Sequence, residues 1–184
     1  MDRIIKTAAE GYLDASLKLV ETVFSKWDSP EEGRTVKGLV QEIRSKKYYI
    51  PELDLVMVNE NDEVTGYVMF SRFHIEGRYE DSLLILTPCA VRTDLQRQGI
   101  SKQMIEYGFK KAAEMGFRAV LVEGDPKNYV PRGFEPSYRH GIEAGSGLHL
   151  PHPDCLMIKE LSDGALEDMH GYVDYSFYES LREE

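Results

Sequence analysis

The chain has 184 residues, 42% of them hydrophobic, with a formal net charge of −10. That is enough apolar mass for one core, and it predicts a single domain over residues 1–184. The acidic balance argues against nucleic acid as a partner, because Lys and Arg contacts to phosphate dominate such binding. No apolar run approaches the roughly 18 residues that span a bilayer, and Met1 to Lys6 lacks the apolar stretch of a signal peptide, so a cytoplasmic protein with no membrane partner is expected. The two cysteines, Cys89 and Cys155, lie far apart in apolar runs and read as buried thiols rather than a disulfide or zinc framework.

In chain order, Ile4 to Lys6 reads as a first strand, and Thr7 to Lys26 as a helix with Ala15, Leu17, Leu19, Val20, Val23 and Phe24 on one face. Ser29-Pro30-Glu31-Glu32 is a helix start: N-cap, proline in the first turn, then acids. That second helix is predicted to run to Ser45. Asp54 to Asn59 and Val64 to Phe73 are strands around the turn residues Glu60 to Glu63, which predicts a hairpin. His74 to Asp81 is a polar connection to the strand Ser82–Val91.

After that strand come Arg92-Thr93-Asp94, then Gln96, Arg97, Gln98, Gly99, Ile100 and Ser101, and an amphipathic segment begins at once. Its apolar positions are Ile100, Met104, Ile105, Phe109, Ala112 and Ala113. Gly116 is placed to end it. Arg118 to Glu123 is a short strand, Gly141 to Pro153 reads as a loop, and Cys155 to Leu161 is a further strand. The tail from Asp163 carries Tyr172, Tyr175, Phe177 and Tyr178. Those aromatics predict packing on the domain or on a second subunit, which leaves a homodimer open.

The strand, turn, small residues and helix start around Gly99 make an anion cradle. The first N–H groups of a helix have no intrahelical partner and carry the positive end of its dipole. Gly99 and Ser101 leave room for a phosphate to reach them. Arg92, Arg97, Lys102 and Lys127 are candidate local cations. Other motifs carry less. His149-x-x-His152 has loop spacing for two metal ligands, but Pro151 and Pro153 hold it extended and only Asp154 stands by to complete a set, so no metal is expected. Cys89 has no histidine partner in sequence, and an apolar setting raises a thiol's pKa, which argues for packing over nucleophilic attack. There is no Walker loop and no GxGxxG.

The segment from Leu83 to Phe134 resembles the GNAT family of N-acetyltransferases. That family's pyrophosphate loop reads Gln/Arg-x-x-Gly-x-Gly/Ala, and here it is Gln96-x-x-Gly99-x-Ser101, with serine at the last small position. Cys89-Ala90-Val91 is similar to the family's Leu-Ala-Val strand end. Gly116 to Val122 looks like its next strand, and Asp125 to Tyr129 with Gly133-Phe134 looks like its short helix and turn. The resemblance implies an α+β fold: a mixed central sheet, mostly antiparallel, with one parallel pair splayed at an acyl-CoA site and helices on its flanks. It implies acetyl-CoA as cosubstrate and direct acetyl transfer to a primary amine of a small molecule or protein. Attraction of cationic amines is compatible with the acidic balance.

The same resemblance implies residue roles. Gln96, Arg97, Gln98, Gly99, Ile100 and Ser101 would hold the pyrophosphate, and the strand end Cys89, Ala90 and Val91 the pantetheine arm. Asn128 would bond that arm or the neighbouring backbone. Tyr129 matches the tyrosine that protonates the thiolate, the competing reading being a packed aromatic with its hydroxyl at the surface. For the base, Glu123 stands at the C-terminal end of a central strand, where ligand sites of open sheets lie, and burial there would raise its pKa. A strand-end glutamate turned to solvent competes with that reading, and Glu76 and His74 are alternative bases. A non-catalytic acyl-CoA sensor on the same fold is the competing function.

Overall fold

A computed structural model describes residues 3–182. Residues 1–2 and 183–184, the two ends of the predicted domain, lie outside the described residues. The chain folds as two compact units, residues 3–71, 87–108 and 178–182 forming one, and residues 72–86 and 109–177 the other.

In the first unit, β1 (Ile4–Thr7) pairs antiparallel with β2 (Asp54–Val58), and β2 pairs antiparallel with β3 (Val64–Arg72). The predicted hairpin is therefore present. Asn59 closes it: its side-chain oxygen accepts from the N–H groups of Asn61 at 3.0 Å and Glu63 at 2.9 Å. β3 neighbours β4 (Leu83–Val91), and the Arg92 N–H donates to the Thr65 carbonyl at 2.9 Å.

The single helix predicted from Thr7 to Lys26 is broken. Glu10 accepts from the N–H and hydroxyl of Thr7 at 2.7 and 2.9 Å, which caps a one-turn segment over Ala8–Glu10. Gly11 follows at φ 108°, a left-handed geometry that ends that turn. The true α1 then spans Leu13–Trp27. α2 spans Pro30–Arg44, with Ser29 capping it as expected through the Glu32 N–H at 3.1 Å.

Asp54 ties these layers together. It is 0% exposed. Arg44 on α2 grips both its oxygens, Nε to Oδ2 at 2.8 Å and Nη2 to Oδ1 at 3.2 Å. Tyr67 and Tyr49 donate to the same carboxylate at 2.6 and 2.8 Å. Arg44 also reaches Ser16 of α1 at 2.8 Å. A buried charge is tolerated only with such saturation.

α3 (Ile100–Glu114) lies on β3 through two glycines, and these contacts fall within the first unit. A Cβ on Gly66 of β3 would stand 2.7 Å from Ile100 and 2.8 Å from the Met104 sulfur, and one on Gly108 of α3 would stand 2.2 Å from the Phe70 ring. Each element carries a notch that receives the other's side chain. The tail ends in this unit: Tyr178 is buried, and Glu42 of α2 accepts from the N–H groups of Glu179 and Ser180 at 2.8 and 2.7 Å. The tail thus packs on its own chain, one of the two outcomes expected from its aromatics.

In the second unit the first part of β4 pairs in parallel with β5 (Ala119–Glu123), from Leu83 opposite Ala119 to Ile85 opposite Leu121, where the ladder ends. β8 (Leu156–Glu160) pairs antiparallel with β5, and β6 (Glu135–Pro136) with β8. The predicted loop 141–153 is not wholly a loop. β7 (Ile142–Ala144) pairs in parallel with β9 (Gly171–Val173) of the tail, a partner too distant in sequence to be foreseen. The fold is mixed α/β, its central sheet mostly antiparallel with one parallel pair and flanked by helices, and β7 and β9 form a separate small parallel sheet. Among the described residues no helix is long and apolar enough to cross a membrane.

The cysteines depart from expectation. Neither forms a disulfide, and both are partly exposed rather than buried. On β4 the pleat turns Pro88 and Ala90 inward, and Cys89 shares the other face with Thr87 and Val91.

The notch predicts opposite outcomes for two helical glycines. Gly38 of α2 has open space around its Cβ position. Gly38→Ala should stabilise the protein by about 0.5–1 kcal/mol in urea unfolding. Gly108→Ala should destabilise by about 1–3 kcal/mol, because the Phe70 ring it meets is fully buried and cannot withdraw.

Candidate functional site

The loop near Gly99, expected to act as a cradle, lies in the first unit. Past Val91 the chain makes a one-turn helix over Thr93–Leu95, and Gln96 Nε2 donates back to the Val91 carbonyl at 3.2 Å. That bond folds the loop onto the strand end. Arg97 then takes φ 62° and Gly99 φ 78°. Two left-handed residues in so short a span turn the backbone sharply into α3. Nothing lies within 4 Å of the Cβ position of Gly99, so the space beside it is open. Ile100 is buried, which pins the first turn of α3, and Ser101 follows partly exposed. Cys89, Ala90 and Val91 form the end of β4 beside this loop in sequence, and Gln98 Oε1 accepts from Arg3 at 2.8 Å.

The cations are not equally available. Arg92 is held by Asp94, Nε to Oδ1 at 2.8 Å, and also approaches Glu63 at 3.4 Å. The bond to Asp94 raises its pKa and occupies two of its donors. Lys102 faces Glu106 one turn on, at 3.9 Å. Arg97 is exposed, with no ion pair among the described residues.

In the second unit β5 delivers Glu123. Ala119 to Val122 are buried, and Glu123 is where the strand opens. It is reachable by solvent yet crowded by protein. Desolvation raises its pKa, and a hydrogen bond from Tyr175 opposes that rise. Gly124 donates to the Cys155 carbonyl at 2.9 Å, so the chain stays attached to β8 one residue further. Asp125 then caps the short α4 (Pro126–Tyr129) by accepting from the Lys127 N–H at 2.9 Å.

Tyr129 is held by its ring. It meets the buried Phe134 edge to face, 5.6 Å between centroids at 86°. A Cβ on Gly124 would stand 2.5 Å from the ring, so Gly124 leaves the place that the ring fills. Asn128 is exposed, and its carbonyl accepts from Arg132. Glu123, Gly124, Asn128 and Tyr129 therefore form one constellation around the β5–α4 turn.

The alternative bases are committed elsewhere. His74 Nδ1 accepts from the Gly77 N–H at 3.1 Å, and its ring lies 4.5 Å from that of Phe177. Glu76 stands between Arg78 and the Tyr172 N–H, each at 3.4 Å. The sequence reading missed Gly124 and Tyr175. Gly124 had a signal, a glycine directly before a capped helix start; Tyr175 had none beyond belonging to an aromatic tail.

These features belong to a known class. The model described as the Acetyltransferase (GNAT) family matches residues 20–134. Over 139 residues, 74% of this chain and 78% of the relative, the chain is 30% identical to the uncharacterized N-acetyltransferase YhbS of Escherichia coli strain K12. The crystal structure of the GNAT family N-acetyltransferase YhbS from Escherichia coli in complex with CoA matches with a TM-score of 0.77 at 24% identity, covering 94% of this chain and 89% of that one. A GNAT family acetyltransferase from Brucella melitensis in complex with acetyl-CoA matches with a TM-score of 0.69 at 24% identity, covering 95% and 96%. The chain belongs to the GNAT acetyltransferase family, and by class it is an acyl-CoA-dependent acyltransferase.

Gly124→Ala tests the seat of Tyr129. The added methyl should displace the ring from Phe134, seen as a shift of the Tyr129 ring signals in carbon–proton NMR, with a stability loss of about 1–3 kcal/mol. Unmoved ring signals would refute the assignment.

Proposed function

We propose that this chain transfers the acetyl group of acetyl-CoA to a primary amine of a small molecule or protein by direct attack, with no acyl-enzyme. The observation that carries the reading is the open space at Gly99, directly before the first turn of α3. The setting of Glu123 and Tyr129 at the β5–α4 turn supports the chemical step. Acetyl-CoA would supply an activated thioester, and the rest falls to the chain's own residues.

The loop Gln96–Ser101 would hold the pyrophosphate through backbone N–H groups, aided by Arg97. The β4 end Cys89–Val91 would bond the pantetheine arm, with Asn128 assisting. Glu123 takes the proton from the ammonium, directly or through water. An alkylammonium has a pKa near 10.4, so this removal must be assisted. The amine nitrogen forms a bond to the acetyl carbon, the carbon–sulfur bond breaks, and Tyr129 gives its proton to the departing thiolate. The products are the amide and free CoA. A raised pKa suits Glu123 to this task, since a base works best when its pKa nears the working pH.

We also propose that residues 1–184 act as one domain in the cytoplasm. The boundaries between the two units fall inside β3, β4 and α3 and between Phe177 and Tyr178, so neither unit is one continuous piece of chain. Limited proteolysis should yield no pair of stable halves.

Gly99→Val should weaken CoA binding by more than tenfold, about 1.4 kcal/mol, in calorimetric titration, since valine resists positive φ and fills the open space. Unchanged affinity would remove the loop from the mechanism. Tyr129→Phe should lower kcat by roughly 10²-fold or more with CoA affinity retained. Glu123→Gln should abolish the acidic limb of the rate profile, because the base acts only when ionised, and its raised pKa places that limb above the usual carboxylate range. A wild-type protein that binds CoA but acetylates no amine in a broad panel would instead be an acyl-CoA sensor.

A further inference from the structure

The second unit contains a cation that the acetyl-transfer chemistry does not use. Lys159 lies on β8, opposite Val120 of β5. Leu156 to Ile158 before it are buried, and Lys159 itself is half-buried. A lysine drawn that far from water usually meets a carboxylate. Among the described residues Lys159 has no ion pair and no hydrogen bond. The acids beside it are engaged elsewhere. Glu160, next on the strand, accepts from the Leu166 N–H at 3.4 Å, and Glu135, opposite Ile158, lies 3.0 Å from His140 Nε2.

The ammonium meets a ring and a stretch of backbone instead. Lys159 Nζ stands over the Phe109 ring, 5.2 Å from its centroid. A Cβ on Gly133 would stand 2.6 Å from the same Nζ and 3.5 Å from Cε. Gly133, at φ 90°, closes the one-turn segment Val130–Arg132 that follows α4. The glycine thus leaves room for the charged end of the side chain and not only for its stem. A lysine that merely reached for water would lay its stem on the ring and carry its ammonium clear of the protein. Two ring contacts continue the line. Phe109 meets Phe134 at 5.6 Å and 58°, and Phe134 meets Tyr129 at 5.6 Å and 86°. Phe134 directly follows Gly133, and Phe109 and Phe134 are both buried. All five residues belong to the second unit.

We propose that Lys159 is a positioning residue for Tyr129: its ammonium, seated on the Phe109 ring and against Gly133, fixes the Gly133–Phe134 turn on which the Tyr129 ring rests. Its catalytic meaning rests on the proposed acid role of Tyr129, whereas the contacts themselves do not. The face of an aromatic ring is its negative side and attracts a cation, the more so when both are withdrawn from water. A neutral side chain of the same length fills the space but loses that attraction. Phe109 and Phe134 are then held less firmly, the Tyr129 ring shifts with them, and a small displacement of a proton donor costs rate.

Lys159→Met keeps the stem and removes the charge. In this variant of the full-length protein the carbon–proton NMR signals of the Phe109, Phe134 and Tyr129 rings should all shift. With the best amine of the panel as acceptor, kcat should fall about 3- to 10-fold while KM for acetyl-CoA stays within about twofold of wild type. Tyr129 ring signals identical to those of wild type overturn the proposal. The route through Phe109 is checked in the Phe109→Leu background, where adding Lys159→Met should leave the Tyr129 signals in place; a further shift there overturns it. Should Lys159→Met not fold, wild type decides: nuclear Overhauser contacts from the Lys159 ε-methylene to the Phe109 ring and to the Gly133 α-protons must be present, and their absence overturns the proposal. An unchanged kcat in Tyr129→Phe would refute the acid reading alone, while the ring signals still decide whether Lys159 sets the place of Tyr129.

Discussion

The seat of α3 on β3 is the constraint on which the cradle depends. A helix N-terminus binds an anion only if its N–H groups are held in place, and two shape contacts at glycines hold α3. Gly66 admits Ile100 and Met104, and Gly108 admits Phe70. The two notches lie eight residues apart on α3 from Ile100 to Gly108, about two turns of helix. Rotation about the helix axis would drive a side chain into backbone at one notch or the other. With the helix registered, Gly99 is left at the turn with nothing above it, and the loop from Gln96 closes onto the Val91 carbonyl.

A second anchor sets the layer that faces away from that loop in sequence. Asp54 collects Arg44, Tyr49 and Tyr67, and Arg44 extends the network to Ser16. One buried carboxylate thereby joins α1, α2, β2 and β3. Removing Arg44, its ion-pair partner, would leave the buried carboxylate without a counter-charge, a loss that typically costs about 3–5 kcal/mol. The end of the tail adds a third anchor on α2, where the Glu42 carboxylate receives two backbone N–H groups and Tyr178 is buried beside Tyr48. The tail is thus held at both ends: by β7 in the second unit and by α2 in the first.

Charge is distributed in a way that net charge alone hides. The chain carries −10 overall. Around the cradle the most obvious cation, Arg92, is consumed by Asp94 and Glu63, and Arg97 stays exposed. The anion proposed to bind there would be held by backbone dipoles with help from Arg97. At the β5–α4 turn the acids differ sharply in setting. Asp125 works as a cap, whereas Glu123 is crowded by protein. Crowding of that kind would suit Glu123 to the proposed proton transfer.

Local signals in the sequence determined a great deal. The Ser29-Pro30 start of α2, the Asn59–Glu63 turn, the apolar run of β4 and the Gln96–Ser101 loop each carry their information in neighbouring residues, because caps, turns and left-handed glycines are short-range chemistry. The family resemblance rested on the same stretch, and the chain belongs to that family. Where local competition decided, the reading slipped: Gly11 and the Thr7–Glu10 bond cut the first helix, though its apolar spacing runs on. Tertiary structure alone decided the rest. It paired β7 with β9, turned Cys89 to the outer face of β4, and bound His74 and Glu76 into the packing of the tail. Those outcomes depend on which side chains meet after the chain has folded back on itself, and no pattern of neighbours along the chain encodes such a meeting.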